Sequence, residues 1–159
     1  MCINHHRCAG SDGVIGHALE HIGRGSWGII GILGDTSRQP LAYTVGLTSL
    51  GCPELVLTGF DPPSAADTLN AVALRMLTGD RIGPGSQLLD GIGGAAAVHL
   101  IVVSDKRGLM VCKALYEQFD ALQVVRSDAT GRFPWHRGYQ CPRQQLLGPP
   151  PQPTPGRAA

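Results

Sequence analysis

Charge is scarce in this chain. Asp, Glu, Lys and Arg make up 16% of its 159 residues, and the signs nearly cancel, with 13 Lys plus Arg against 12 Asp plus Glu. A nucleic-acid surface needs clustered positive charge, and the loose trio Arg126, Arg132 and Arg137 is too small to provide one. Direct nucleic-acid binding is therefore not expected. Long apolar runs are missing as well. The longest, Ala95 to Val103, is interrupted by His99, whereas a membrane helix needs about 18 or more apolar residues. The opening residues hold no apolar stretch of the kind a secretory signal requires. A cytoplasmic protein without a membrane anchor is the expectation. The chain also lacks the G-x-S-x-G, Walker A, Rossmann and H-E-x-x-H patterns. Gly91-Ile-Gly-Gly precedes a strand-like run rather than a helix, so no helix N-terminus is there to hold a phosphate.

What the sequence does have is a dense set of soft donors at its start. Cys2, His5, His6 and Cys8 fall in the first eight residues, and His17 and His21 follow. Thiolate and imidazole are the groups that hold Zn²⁺, which takes four of them in a tetrahedron. Two sulfurs on one zinc stand about 3.8 Å apart, so Cys2 and Cys8 must fold back on each other. In an extended segment His5 and His6 point to opposite sides, and one of them is expected to ligate. His17 and His21, one helical turn apart, can aim at one point and complete a Cys₂His₂ set. The spacing Cys2-x-x-His5-His6-x-Cys8 matches no common finger, and a terminus carrying Cys and His by accident is the competing reading. Without H-E-x-x-H, a zinc here reads as structural or sensory rather than hydrolytic. The remaining cysteines, Cys52, Cys112 and Cys141, read as small structural residues, since five is an odd number and a reducing compartment disfavours disulfides.

The rest of the chain reads as one domain. Residues 1–12 show no periodicity and suggest a loop or knuckle. Ser11 or Asp12 can cap a helix in which Ile15, Leu19 and Ile22 recur at helical spacing, ended by Gly23 and Gly25. Trp27 to Leu33 and Leu41 to Leu47 read as strands joined in a hairpin, and Glu54 to Gly59 as a third strand. Asp61-Pro62-Pro63 is a strong helix start, with a capping carboxylate ahead of prolines whose missing N–H groups cost nothing there. Residues 79–94 read as an irregular loop, Ala95 to Val103 as a buried strand, Leu109 to Phe119 as a helix, Ala121 to Val125 as a last strand, and Asp128 to Trp135 as a structured turn. From Gly148 the sequence GPPPQPTPGRAA is expected to be a flexible, partly polyproline tail. The fold class implied is α+β, with a mixed or mainly antiparallel sheet and two to three helices. The organisation implied is an N-terminal metal segment (1–13), a single domain (14–147) and a tail (148–159).

A second functional reading uses polar residues at strand ends and turns. Tyr43, Thr44, Glu54, Asp128, Arg132 and Trp135, with His99 and His136 nearby in type, are placed where small-molecule pockets collect. The structural counter-reading is favoured. Asp128 is a turn former, Arg132 pairs with Asp128 or Glu54, Trp135 plugs the core with its indole bonded, and His99 is a hydrogen-bonded strand histidine. A third reading makes the Pro-rich tail the binding element of a plain scaffold. The favoured function is a non-enzymatic zinc protein acting through a protein partner.

Several segments, taken in order, resemble a known family: Trp27 at the head of a strand, P-L-A-Y-T-V-G-L from Pro40 to Leu47, G-C-P-E-L-V-L-T-G from Gly51 to Gly59, L-N-A-V-A from Leu69, and A-L-Q-V-V-R-S-D-A-T-G-R-F-P-W from Ala121 to Trp135. This set is similar to the bacterial family known as domain of unknown function 4262, over about residues 14–147. Members, especially actinobacterial ones, often begin Met-Cys with a second cysteine nearby. The present MCINHHRC resembles that start but spreads its cysteines and inserts two histidines, and Gly25-Ser26 stands where the family has His-Gly. The resemblance implies no assigned activity. It does point to zinc-linked proteins of similar outline that act in zinc shortage, including recruitment of a hibernation factor to ribosomes.

Overall fold

The structure is a computed structural model that describes residues 3–5 and 11–152, with side chains from residue 13 onward. Seven strands form one mixed sheet: β1 (Ile3–His5), β2 (Gly28–Ile32), β3 (Leu41–Val45), β4 (Glu54–Thr58), β5 (Gln87–Leu88), β6 (Val98–Val102) and β7 (Ala121–Arg126). Their spatial order is β1-β2-β3-β4-β7-β6-β5. Three helices pack on it, α1 (Ser11–Gly23), α2 (Pro62–Leu77) and α3 (Met110–Leu115). The chain is thus α+β, as its pattern implies.

The hairpin is present: β2 and β3 are antiparallel with Ile29 opposite Thr44, and β4 extends the meander, with Tyr43 opposite Val56. Alternation divides the core between two faces. Ile29, Leu55, Leu57, Leu100, Leu122 and Val124 face α2, which buries Ala65, Ala66, Leu69, Val72 and Ala73 against them. Trp27 lies on this side and donates its indole N–H to Asn70 Oδ1 at 3.0 Å. On the opposite face, Ile30, Tyr43, Val45 and Val56 meet Val14 and Ala18 of α1 and Val111 and Cys112 of α3. A smaller cluster beyond it joins Ala97, Ile101 and Val125 to Phe133. As expected, Asp61 caps α2 by accepting from Ser64 N–H, with prolines in the first turn.

Two expectations need correction. Residues 3–5 form a strand rather than a knuckle, pairing parallel to β2 with Ile3 opposite Ile29 and His5 opposite Gly31. Three residues give no sequence periodicity, and the partner lies 26 positions away, so nothing local announces the pairing. The helix expected over Leu109–Phe119 stops at Leu115, because Tyr116 turns extended (φ −122°, ψ 133°). Gly148, where the tail is expected to start, passes close to β6. A Cβ on Gly148 would lie on the carbonyl oxygen of Val102, so only glycine allows the chain to pass so close. The described chain runs on through Gln152; residues 153–159 fall outside it.

The segment after β7 is a strap laid over the second face. Gln123, fully buried, reads its backbone: Nε2 donates to the Gln145 carbonyl at 2.8 Å and Oε1 accepts from Leu147 N–H at 2.7 Å. Gln144 does the reverse, its Oε1 accepting from Arg126 N–H at 2.9 Å and its Nε2 donating to the Arg126 carbonyl at 2.8 Å.

Candidate metal centre

Helix α1 turns Val14 and Ala18 into the core, with Ile15 and Ile22 beside them. That orientation sets His17 and His21 together at the helix flank, half-buried. Their Nε2 atoms stand 3.1 Å apart, and the rings meet edge to face with centroids 4.7 Å apart. Two imidazole nitrogens on one tetrahedral zinc, at about 2.0–2.1 Å each, would be about 3.3–3.4 Å apart. The pair is therefore close to the spacing of two ligands on one ion. Desolvation, followed by the neighbouring His17, lowers the pKa of His21. That favours the neutral imidazole a metal requires.

Gly28 makes room for this arrangement. A Cβ there would stand 3.3 Å from His21 Cδ2, so the ring rests on the start of β2. Strand β1 runs along the outer edge of the same β2, and its last residue is His5. Cys2, His6 and Cys8 lie outside the described residues, and so does the side chain of His5. Among the described residues no group of three or more His, Cys, Asp and Glu side chains converges. Of the six sequence-predicted ligands, the structure thus brings two into mutual contact and puts the backbone of a third on the adjoining strand.

The other candidate residues are occupied. Glu54 is fully buried. Its Oε2 accepts from the Thr44 hydroxyl at 2.6 Å and Leu47 N–H at 3.3 Å, and its Oε1 from Gly46 N–H, Thr48 N–H and the Thr48 hydroxyl at 2.9–3.0 Å. Five donors on one carboxylate make it the organiser of the turn after β3. That turn needs Gly46, whose φ of +124° and near contact with the Ser26 carbonyl exclude a side chain. Tyr43 is 1% exposed; its hydroxyl accepts from Val111 N–H at 3.2 Å, and burial pushes the phenol pKa up. Cys112, buried beside Thr44, donates to the Thr44 carbonyl at 3.4 Å, and burial raises its thiol far from thiolate. It is the inert structural cysteine expected.

Asp128 binds its own turn. Oδ1 accepts from Thr130 N–H, the Thr130 hydroxyl and Arg132 N–H, and Oδ2 from Gln140 N–H. These bonds, the Thr130 hydroxyl first, hold its pKa at about 2. Three details of the structural reading are corrected, the first being His99, whose Nε2 is buried without a hydrogen-bond partner rather than bonded. The Arg132 guanidinium reaches the Gly138 carbonyl at 3.4 Å rather than a carboxylate. The buried plug is Phe133, 2% exposed, with Trp135 stacked on it at 5.0 Å and 11°. The Asp128 oxygens are taken by Thr130, the Arg132 N–H and the Gln140 N–H, which leaves the Arg132 guanidinium to turn elsewhere.

Thr44 with Glu54, and Asp128 with Arg132, are thus two separate constructions, and no hydrogen bond joins them or Tyr43 to a shared site. A cavity of about 620 Å³ lies elsewhere, between the β2–β3 loop and the strap, lined by Ile32, Arg38, Leu41, Arg107, Leu109 and Leu147. Sequence reading missed the clamping glutamines. The sign was Gln123, a polar residue in the middle of the buried run A-L-Q-V-V.

No curated protein and no solved structure is significantly similar to this chain. The family model described as Domain of unknown function (DUF4262) matches residues 21–140. The matched span begins at His21 and leaves the other five candidate ligands ahead of it. On that match, which covers well over half of its length, the chain belongs to the DUF4262 family.

Proposed function

We propose that this protein binds one Zn²⁺ through its N-terminal Cys/His segment and α1, and that it acts without catalysis, through a protein partner. The observation that supports this reading is the 3.1 Å approach of His17 Nε2 to His21 Nε2, near the spacing two of four zinc ligands would need. Cys2 and Cys8 would supply sulfur, and His5 or His6 an alternative nitrogen. Cys2 directly precedes Ile3 in the sequence. Ile3 is opposite Ile29 on β2, one residue from the glycine on which the His21 ring rests. Thiolate and imidazole suit zinc better than magnesium or calcium, which prefer oxygen.

A closed four-ligand site leaves no open position for substrate or water, so zinc here is structural or sensory. The best-placed polar groups of the domain, Glu54 and Asp128, have their oxygens filled by internal donors, which further disfavours an acid–base enzyme. A structural zinc contributes on the order of 10 kcal/mol. That is ample to fix a short segment against the sheet and so to set which surface a partner meets. The setting suggested by the family resemblance is a cytoplasmic response to zinc shortage, with the ribosome-hibernation machinery as a partner.

Elemental analysis of protein purified without chelator tests the reading. One zinc per chain is expected, falling to a small fraction in Cys2→Ala and in the His17→Ala, His21→Ala double variant. Protein that is folded yet holds no stoichiometric metal after incubation with Zn²⁺ would refute it.

A further inference from the structure

The strap is fastened to the sheet by an aromatic cluster that contains two histidines and no acid. His99 projects from β6, opposite Val125 of β7 and Gln87 of β5. Its ring meets Phe133 edge-on at 5.7 Å and Trp135 at 5.4 Å. His136, from the same turn as those two rings, stands 5.8 Å from Phe133 and 6.0 Å from Trp135. Under them lie Ala97, Ile101 and Val125, with Leu146 of the strap alongside.

Neither imidazole can take a second proton without loss. His136 Nδ1 accepts from Phe133 N–H at 3.0 Å, which requires the neutral tautomer with its proton on Nε2. An imidazolium has no acceptor, so charging His136 breaks the bond that shapes the turn. His99 Nε2 is buried with no hydrogen-bond partner. Whichever tautomer it adopts when neutral, the charged ring would bury an N–H with nothing to receive it.

The surrounding charges do not compensate. Asp128 is filled by Thr130, Arg132 and Gln140, Arg132 turns to the Gly138 carbonyl, and Arg137 is exposed. From the neighbouring strands the facing residues are neutral, Gln87 and Val125. No carboxylate forms an ion pair with either histidine among the described residues.

We propose that this cluster is an acid-sensitive catch: protonation of His99, whose Nε2 is buried without a partner beside Phe133 and Trp135, frees the Phe133-to-His136 end of the strap from the sheet and uncovers the apolar surface of Ala97, Ile101 and Val125. Further along, the strap is held by Gln123 and Gln144, by Thr58 and Gln39 at Gln145, by the Ser104 and Asp105 N–H groups at the Leu147 carbonyl and by Asp128 at Gln140. None of these titrates between pH 7.5 and 5, so the release starts at Phe133–His136. Burial, followed by the charge of His136, lowers the pKa of His99, in the same sense. The sign follows directly. A histidine whose folded pKa lies below its unfolded value contributes nothing at neutral pH and opposes the closed form as pH falls below about 6.5.

Hydrogen exchange of the full chain between pH 7.5 and 5, corrected for intrinsic rates, tests the catch. Opening of residues 131–138 should rise by up to about tenfold per pH unit for the one proton taken up at His99. The α2 amides should be unaffected over the same range. Combining His136→Asn, whose side-chain carbonyl still accepts from residue 133, with His99→Phe should abolish the rise. Equal strap protection at pH 5 and 7.5, or a rise that persists in the folded double variant, overturns the proposal. If the double variant does not fold, NMR titration of the wild-type His99 ring decides. A midpoint below about 6.5 that coincides with strap opening supports the catch, and a midpoint at or above that value refutes it.

Discussion

Glu54 shows how a single residue can hold a functional-looking position for a structural reason. Its carboxylate gathers the hydroxyls of Thr44 and Thr48 and three backbone N–H groups. Truncation would leave several buried donors without an acceptor, each costing about 1–3 kcal/mol. Glu54→Ala should therefore lose at least about 3 kcal/mol in denaturant unfolding, while Glu54→Gln, which keeps one carbonyl oxygen, should lose less. If Glu54→Ala unfolds like the wild type, the clamp is not what shapes that turn. Asp128 makes the matching prediction in pH. Its carboxyl is held at about 2 by the turn, below the free value of about 3.9. Its contribution is fully present above pH 4 and fades as pH falls towards 2. Asp128→Asn should remove that acid-range loss from the pH profile of the melting temperature. The sequence announced Asp128 as a turn former but gave no hint that Phe133, rather than Trp135, is the buried ring, because both are aromatic and sit two apart.

At the scale of elements, legibility tracks the distance over which information must travel. Helix α2 was readable because its signals are local: Asp61 accepts from Ser64 N–H at 3.1 Å, three residues on, and the apolar stripe follows at once. Asp61→Ala should cost about 1 kcal/mol, seen as a fall of about 2–4 °C in melting temperature; no change would mean the prolines alone set the start. The histidine pair of α1 was readable for the same reason, since positions four apart meet on any helix. Strand β1 and the strap were not. The first pairs with residues 26 positions away. The second is fixed by Gln123 to a carbonyl 22 positions away, and by a glycine whose neighbour is Val102. Gln123→Leu should unseat that strap, raising exchange at residues 145–148 while leaving α2 protected. Unaltered exchange there would show that the bonds from Thr58 to the Gln145 carbonyl and from Ser104 and Asp105 to the Leu147 carbonyl suffice without it.

For the whole molecule, the pairing that closes the sheet is β4 with β7, parallel, with Glu54 opposite Ala121. No sequence pattern reveals a neighbour 67 positions away, so the α+β class was legible but the strand order was not. The family match over residues 21–140 covers this sheet from β2 to β7. The donors from Cys2 to His17 lie ahead of the matched span and the end of the strap, residues 141–147, beyond it, whereas His99, Phe133 and His136 fall inside it. Zinc is the central claim, and its coordination shell is directly measurable. X-ray absorption at the zinc edge of the loaded full-length protein should show a mixed shell of sulfur at about 2.3 Å and imidazole nitrogen at about 2.0–2.1 Å, four ligands in all. A shell of six oxygen or nitrogen atoms without sulfur, or one unchanged in the His17→Ala, His21→Ala variant, would contradict it.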